Sequence, residues 1–218
     1  MPALIGIPRV FLYYTFFPMW KTFFNALGAE VTVSPNTSKE ILDRGVRLAE
    51  DETCLPVKLA FGHTSTLSSR VDFLFLPRYK SLEPRRYMCP KIIGLPDMLA
   101  RNLEGLPPVL SPEISVTQDP GALEKAFSSL ARSLGAREPD IGKAYRLGLG
   151  ELERYRRLIE DGWLPEDANN RLMGRPARGP SNHPLKVAVI GHSYVSCDPH
   201  ISMNLLKRLD DMGVTPMI

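Results

Sequence analysis

The chain has 218 residues, of which 44% are hydrophobic and 23% are charged. This composition is typical of a soluble globular protein with one or two domains, and it excludes disordered chains, collagens and coiled coils. With 27 basic and 24 acidic residues the formal net charge is only +3, which excludes a nucleic-acid binder that depends on bulk positive charge.

Cysteine usage and the longest apolar run indicate a reducing compartment. Cys54, Cys89 and Cys197 are an odd number of widely separated thiols, which is a poor disulfide framework. The longest apolar run, Val10–Trp20, is interrupted by Pro18 and is shorter than the roughly 20 residues of a membrane span. No small-residue cleavage site of a signal peptide follows it. The sequence therefore predicts a cytoplasmic protein that does not enter a membrane.

The first 48 residues alternate between strand and helix patterns. Ala3–Ile7 is a short apolar run that predicts a buried strand, and Phe16–Leu27 repeats aromatic residues at helical spacing. Glu30–Val33 alternates polar and apolar residues like a strand, and Lys39–Leu48 has the pattern of an amphipathic helix. This order predicts a parallel sheet with helices packed on its faces.

The alternation continues as far as residue 134. Leu55–Leu67 predicts a helix, and Val71–Leu76 predicts the clearest strand of the chain. The elements predicted after them are a strand at Lys91–Gly94, a short helix at Pro96–Asn102, a strand at Pro108–Leu110 and a helix at Ala122–Leu134. Residues 1–138 are therefore interpreted as a first α/β domain.

A charged helix and a loop-like segment follow the first domain. Ile141–Ile159 carries arginines opposite glutamates, which is typical of a solvated helix face, with an acidic partner as the alternative. Residues 161–184 are rich in Gly, Pro, Asn and Arg, as in an exposed linker. Residues 139–184 are therefore predicted to form a long helix and a linker, with phosphate contacts by the arginines as an alternative for the linker.

The pattern of strand and helix restarts at residue 185. Leu185–Ile190 predicts a strand, Pro199–Met212 a helix, and Val214–Ile218 a further strand. Residues 185–218 are therefore predicted to be the opening β-α-β unit of a second α/β domain. One such unit cannot bury both faces of its sheet, so we expect a longer native polypeptide or a partner to cover it.

The two predicted domains have matching glycine positions. The interval from Gly191 to Gly213 has the same length as the interval from Gly6 to Gly28. In both intervals a strand is followed by a glycine, a loop with tyrosine, a helix and a second glycine. The match predicts that the two domains are related to each other.

Two cysteines lie where thiolates can ligate a metal. Cys54 comes just before the predicted helix Leu55–Leu67, where free amides and the helix dipole stabilise a thiolate, and Lys58 adds positive charge. Cys89 lies in the loop after Val71–Leu76. Loops at the carboxyl ends of parallel strands meet at one crevice, so distant cysteines are able to share a site. The alternative is that each cysteine is a small buried hydrophobic residue.

Several segments together resemble one known family. They are IGIPRVFLYYTFFPMWKTFFNALGAEVTVSPNTSKEIL, ETCLPVKLAFGH, VDFLFLPRY, CPKIIGLPD and VAVIGHSYVSCDPHISMNLLKRL. In this order they resemble the domain of proteins related to the activase of 2-hydroxyacyl-CoA dehydratases, and they are similar also to dehydratase subunits and double-cubane cluster proteins. The resemblance implies tandem flavodoxin-like or Rossmann-like parallel sheets with helices on both faces, the second domain being incomplete here.

The resemblance also implies an iron–sulfur cluster, of the 4Fe-4S type, in the crevice between the two domains. Cys54 and Cys89 match the family's cysteines in Cys-Leu-Pro-x-Lys and Cys-Pro-x-x-x-Gly-x-Pro, so the resemblance makes them the expected metal ligands. Cys197 departs from the family's pattern and is retained as a third candidate ligand, because its loop is expected near the crevice.

Four further residues are predicted to surround the site. Lys58 and His63 share the Cys54 motif, and Arg9 and Tyr13 follow the first strand. A capping role for His63 and a core role for the aromatic residues around Tyr13 remain alternatives. A zinc site built from cysteines with His192 and His200 is the weaker metal hypothesis, because no closely spaced ligand pair is present.

The predicted function is that of an iron–sulfur redox protein used for low-potential electron transfer. Whether it is an enzyme stays open; it would be a component of an ATP-dependent reductase or dehydratase system. No Gly-x-x-x-x-Gly-Lys-Ser/Thr loop is present, so ATP is expected on an activase partner or another domain. We also expect a homo-oligomer or further domains of a longer polypeptide, and no nucleic acid. The alternative is a metal-free interaction or small-molecule-binding module that uses Gly6–Arg9 and Gly191–Ser193 as anion-facing loops.

Overall fold

The computed structural model describes residues 2–218, which divide into two compact units. The first unit contains the residues up to Val10 together with Phe23–Arg146, and the second contains Phe11–Thr22 together with Leu147–Ile218. Parallel strands alternate with helices along the chain, so the predicted α/β fold class is confirmed. The division into domains at 1–138, 139–184 and 185–218 stays a prediction.

The first unit is built on a parallel sheet. The strands and helices from the start of the chain to residue 160 are β1 (Leu4–Ile7), α1 (Tyr13–Ala26), β2 (Glu30–Val33), α2 (Lys39–Leu48), α3 (Leu55–Leu67), β3 (Phe73–Phe75), β4 (Arg78–Glu83), β5 (Arg86–Tyr87), α4 (Pro90–Ile93), α5 (Leu95–Asn102), β6 (Val109–Leu110), β7 (Glu113–Ser115), α6 (Ala122–Ser133) and α7 (Glu138–Glu160). The main sheet has the order β2-β1-β3-β6 with all pairs parallel, and a smaller sheet has the order β5-β4-β7. The boundary between the two units falls inside α1 and α7.

The strand order gives the main sheet a switch point between β1 and β3. The chain leaves β1 towards β2 on one side and leaves β3 towards β6 on the other. Connections that diverge in this way open a crevice at the carboxyl ends of the strands, which is where open parallel sheets bind their ligands. The loop that contains Arg9 directly follows β1 and therefore starts at this crevice.

An aromatic cluster forms the core of the first unit. The ring centroids of Phe23 and Phe127 are 4.9 Å apart, and those of Phe24 and Phe75 are 5.0 Å apart. All four rings are almost fully buried. Burial of each such ring contributes about 1.5–3 kcal/mol, so this cluster fixes the end of α1, β3 and α6 around one core.

Two glycines allow α2 and α3 to cross at very short range. A Cβ atom on Gly45 would lie 1.9 Å from the carbonyl oxygen of Lys58, and one on Gly62 would lie 2.1 Å from the carbonyl oxygen of Ile41. Only residues without a side chain fit between the two backbones. This crossing fixes the position of α3, which carries two of the predicted site residues and begins directly after a third, Cys54.

Two parts of the first unit differ from the sequence prediction. The strand predicted at Lys91–Gly94 is wrong, because α4 is a helical turn that begins with Pro90, a residue whose fixed φ favours the first helical position. The small sheet of β4, β5 and β7 was not predicted. Along β4 the inward-facing residues are Tyr79 and Ser81, and a serine at a buried position weakens the hydrophobic alternation that identifies a strand.

The second unit contains the first part of α1, the last part of α7 and a two-stranded sheet. Its other elements are α8 (Pro165–Leu172), β8 (Leu185–Ala188), α9 (Ser193–Ser196), α10 (Leu205–Asp211) and β9 (Val214–Met217). β8 and β9 are parallel, with Leu185 opposite Val214. Gly28 and Gly213, the two matched helix stops, both have positive φ angles, of 82° and 78°. These left-handed positions end a helix in the way glycine favours.

Two predictions for the second unit are corrected. The predicted helix Pro199–Met212 is shortened to α10, because Met203 and Asn204 have positive φ angles that interrupt helical geometry. The predicted linker contains α8, whose buried face consists of proline, alanine and asparagine and therefore gives no apolar pattern. The rest of that segment is also held by hydrogen bonds, since the amide of Ser181 donates to the carbonyl oxygen of Gly162 over 2.9 Å.

Candidate functional site

Cys54 and Cys89 have the same position relative to a helix. Cys54 is the N-cap residue of α3 and Cys89 is the N-cap residue of α4, and a proline follows within the first two helical positions in both cases. Both thiols are free and exposed, and neither makes a capping hydrogen bond. A side chain at this position lies at the positive end of the helix, which favours a negatively charged donor atom. Few amides are free there, because each first turn contains a proline without an N–H and the amide three residues after each cysteine donates to that cysteine's carbonyl oxygen.

Both cysteines belong to the carboxyl-end side of the main sheet. α3 leads into β3, and a helix that crosses over to a parallel strand starts near the carboxyl ends of the strands. Cys89 lies between the end of β3 and the start of α5, which is the corresponding part of the next crossover. The chain topology therefore assigns the two thiols to the side of the sheet where the crevice opens.

The donor set has the right chemistry for an iron–sulfur cluster but is not complete. Thiolate sulfur is the usual ligand of such clusters, and a 4Fe-4S cluster usually takes four. Among residues 2–218, no group of three or more His, Cys, Asp and Glu side chains is arranged to hold a metal ion. The two exposed thiols of the first unit therefore fit as part of a ligand set, and residues 2–218 show no third donor arranged beside them.

Lys58 holds the turn that precedes Cys54. Its ammonium group donates a hydrogen bond to the carbonyl oxygen of Asp51 over 3.0 Å, and its backbone amide donates to the carbonyl oxygen of Cys54. Both bonds join the first turn of α3 to the preceding loop. Lys58 therefore positions Cys54 through the backbone, and its predicted effect on the thiolate stays a prediction.

Arg78 holds the segment that follows Cys89, and this residue was not predicted from the sequence. Its guanidinium donates to both carboxylate oxygens of Asp97, over 2.8 and 2.9 Å, and to the carbonyl oxygen of Ile93 over 2.8 Å. These bonds connect β4 to the end of α4 and to the first turn of α5. The hydrogen bond from Arg78 lowers the pKa of Asp97. The only sequence signal was an arginine directly after the strand run VDFLFLP.

His63 and Arg9 belong to one buried hydrogen-bond network. His63 is fully buried inside α3, with Nδ1 2.9 Å from Ser34 Oγ and Nε2 3.0 Å from Thr37 Oγ1. Arg9 donates from its amide to Ser34 Oγ and from Nε to the carbonyl oxygen of Ser34, both over 2.9 Å. The network ties the loops after β1 and β2 to α3, and the role of either residue beside a cluster stays a prediction. The serine-proline turn after Glu30–Val33 was the signal that could have identified Ser34.

Cys197 and Tyr13 lie in the second unit. Tyr13 is buried and packs against Phe17, with ring centroids 4.7 Å apart. Cys197 directly follows α9, and burial raises the pKa of its thiol to about 11. The adjacent loop is held by Asp198, whose carboxylate accepts a hydrogen bond from the Tyr14 hydroxyl over 2.9 Å. Ligation of a metal by Cys197 stays a prediction.

A cleft of about 310 Å³ lies beside Cys197 within the second unit. Its walls come from the first turn of α1, the end of α7, the start of α8, the loop after β8 and α9. Val189 and Ile218, which directly follow β8 and β9, also line it. The cleft therefore lies at the carboxyl ends of this sheet, the usual ligand position in an open parallel arrangement. A second cleft, of about 580 Å³ beside β6, β7 and α6, contains none of the predicted site residues.

An open parallel sheet with a switch point defines an α/β protein, which here has two exposed cysteines at helix starts. Residues 4–218 match the family described as CoA enzyme activase uncharacterised domain, and the chain belongs to that family. The match confirms the resemblance to activase-related proteins. The comparison with curated proteins finds no match. Among residues 2–218, no helix has both the length and the apolar character that crossing a membrane requires.

Proposed function

We propose that this chain is a redox component of a CoA-enzyme activation system and that Cys54 and Cys89 contribute thiolate ligands to a 4Fe-4S cluster. The observation that carries the proposal is the repeated arrangement of the two cysteines. Each is a free, exposed N-cap residue at the carboxyl-end side of one parallel sheet. Membership of an activase-related family supports the same chemistry.

When bound, such a cluster supplies one-electron transfer at low potential. The residues of this chain hold and tune the donor atoms. Both cysteines lie at the start of a helix, where the helix dipole favours a thiolate, and the electrostatic surroundings of the sulfur atoms are one means by which proteins adjust the potential of a cluster. Lys58 and Arg78 keep the two cysteine segments in place through backbone carbonyl groups.

Two thiolates do not complete a 4Fe-4S ligand set, so the proposal includes further donors. Cys197 is one candidate, although burial favours its protonated form. A second copy of the chain, or another polypeptide, is the other source. ATP, if it drives the electron transfer, binds an activase partner or another domain, since the sequence has no Gly-x-x-x-x-Gly-Lys-Ser/Thr loop.

Anaerobic reconstitution of the full chain with ferrous iron and sulfide tests the proposal. We expect a brown protein with broad visible absorption and matching amounts of bound iron and sulfide. The variant Cys54→Ser with Cys89→Ser should lose this absorption, and its far-UV circular dichroism should match that of the wild type. Cys197→Ser tests separately whether the third thiol belongs to the ligand set.

Two results would contradict the proposal. One is a colourless, iron-free wild-type chain after reconstitution, both alone and with its activase partner. The other is a Cys54→Ser and Cys89→Ser variant that keeps the full iron content. A loss of iron in Cys197→Ser would instead add this thiol to the ligand set.

A second candidate function is the binding of a small molecule without metal. The cleft in the second unit favours it, because it lies at strand carboxyl ends and its volume falls at the lower end of the ~300–1,000 Å³ typical of ligand pockets. Cys54 and Cys89 would then not bind metal. Iron analysis after reconstitution separates the two functions.

A further inference from the structure

Two opposite charges at the cleft of the second unit have no partners. Arg156 and Glu160 lie four residues apart on α7, and both line the cleft. Neither makes an ion pair or a side-chain hydrogen bond with any other residue of the described range 2–218. The neighbouring Arg154 and Arg157, by contrast, are each paired with a glutamate of the preceding helical turn.

Arg156 and Glu160 lie on the same face of α7, because side chains four residues apart on a helix are neighbours. Both groups are therefore available at the same place on the wall of the cleft. They are also the only charged side chains that line it within the described residues.

The other side chains of the cleft are neutral. Ile159, Val189 and Ile218 give it an apolar wall. Its hydroxyl groups are already engaged: Thr15 Oγ1 lies 3.3 Å from Ser193 Oγ, and the Ser196 hydroxyl donates to a backbone carbonyl oxygen over 3.2 Å. A ligand that fits must therefore combine an uncharged, largely apolar body with both a negative and a positive group.

We propose that this cleft binds a small zwitterion with an apolar body, namely an α-amino acid with an aliphatic side chain. The carboxylate pairs with Arg156, whose planar guanidinium matches it in a two-bond arrangement, and the ammonium group pairs with Glu160. The aliphatic side chain lies against Ile159, Val189 and Ile218. The site is separate from Cys54 and Cys89, and the inference does not depend on a cluster.

The volume of the cleft is sufficient for a ligand of this size. About 310 Å³ lies at the lower end of the ~300–1,000 Å³ typical of ligand pockets. An amino acid of the size of leucine therefore fits.

Calorimetric titration of the full chain with three matched probes tests the charge assignment. The probes are L-leucine, 4-methylpentanoate, which lacks the ammonium group, and 3-methylbutylamine, which lacks the carboxylate. We expect L-leucine to bind and each singly charged probe to bind at least ~10-fold more weakly, as the loss of a charge-assisted hydrogen bond predicts. Arg156→Gln and Glu160→Gln should each weaken L-leucine binding by a similar factor, and the matched control Arg157→Gln should leave it unchanged.

Thiol alkylation gives an independent measure of where the probe binds. Peptide-resolved mass spectrometry follows the reaction of each cysteine with iodoacetamide. Bound L-leucine should slow the alkylation of Cys197, which lines the cleft, and should leave Cys54 and Cys89 unaffected. The Cys54→Ser and Cys89→Ser variant should bind L-leucine like the wild type, which separates this test from that of the cluster.

Each contrary result would overturn the inference. No binding of any probe would mean that the cleft is not a ligand site of this class. Equal affinity for L-leucine and 4-methylpentanoate would make it a plain carboxylate site. Binding that survives Arg156→Gln and Glu160→Gln, or that does not slow the reaction of Cys197, would move the ligand elsewhere on the protein.

Discussion

The cysteines of the two units are in opposite chemical situations. Cys54 and Cys89 are exposed residues at the starts of helices, and side chains from other segments hold their backbones in place. Cys197 is partly buried beside a cleft, and burial raises the pKa of its thiol to about 11. The difference shows that burial, and not residue type, separates two exposed thiols at helix starts from a thiol held in the wall of a cleft.

The largest expected effect comes from the crossing that positions the helix of Cys54. Gly62→Ala would place a methyl group about 2.1 Å from the Ile41 carbonyl oxygen, so α2 and α3 must separate. We expect a loss of about 3 kcal/mol or more in the free energy of unfolding, as for severe overpacking. Urea denaturation measures it.

Gly150→Ala is the matched control for this prediction. Gly150 lies inside α7, and a Cβ atom there meets nothing within 4 Å. Alanine at this position should stabilise the chain by about 0.5–1 kcal/mol, because glycine is a poor helix former. If Gly62→Ala were as stable as the wild type, the close crossing would not be what fixes the position of Cys54.

A smaller effect is expected from the bond that holds the Cys197 loop. Tyr14→Phe removes the hydroxyl that donates to the buried carboxylate of Asp198. The expected cost is about 1–3 kcal/mol, since a buried charged acceptor loses a donor. Alkylation of Cys197 should become faster in this variant, because its loop is loosened.

Tyr87→Phe is the control for the loss of a phenol group. Tyr87 is 64% exposed, so the free energy of unfolding should change by no more than about 0.5 kcal/mol. An unchanged unfolding curve for Tyr14→Phe would show that the Asp198 loop is held by its other hydrogen bonds. The cysteines of the two units would then differ only in how deeply they are buried.

Thiol reactivity measured as a function of pH tests the difference between Cys197 and the two exposed cysteines directly. At pH 8, Cys197 should react with iodoacetamide at least ~10-fold more slowly than Cys54 and Cys89, because the thiolate is the reactive form. The raised pKa of Cys197 also affects stability. Its contribution is fully present below the pKa of an exposed thiol, about 8.5, and is lost as the pH rises through about 11.

Cys197→Ser separates this contribution from general alkaline unfolding. The variant should lose less stability than the wild type between pH about 8.5 and 11, as measured by urea denaturation at each pH. Equal reactivity of all three cysteines at pH 8 would contradict the assignment of Cys197 to a buried wall.

Local patterns in the sequence identified most of the main sheet. The runs Glu30–Val33, Lys39–Leu48 and Leu55–Leu67 have the predicted bounds, because alternation and helical spacing are properties of a single segment. α8 and β4 were missed, since their buried positions include alanine, asparagine and serine, which carry no hydrophobic signal. Patterns of this kind fail where small or polar side chains fill the core.

The site was predictable only in part, for a related reason. Cys54 and Cys89 stand in recognisable motifs, and the position of Cys54 before a helix followed from the sequence. The position of Cys89 at the start of α4 was missed, because a strand was predicted after it. The partners of Arg78 and His63 depend on segments that approach in space from 15 to 29 residues away in sequence. No local pattern encodes such pairs, and only the structure joins them.

The smallest expected effect concerns the ion pair between Arg78 and Asp97, which holds the segment that follows Cys89. Hydrogen bonding by Arg78 lowers the pKa of Asp97, so the ion pair stabilises this segment above the ordinary pKa of the carboxyl group, about 4, and is lost as the pH falls below that. Because Asp97 is exposed, the effect is local. Asp97→Asn should increase amide hydrogen exchange in residues 89–97 at pH 7 and remove the acid dependence of that exchange.

Asp119→Asn, which breaks another exposed ion pair of the first unit, is the matched control and should leave the exchange of residues 89–97 unchanged. Identical exchange in Asp97→Asn and the wild type would mean that the bond from Arg78 to the Ile93 carbonyl oxygen alone holds Cys89 in place.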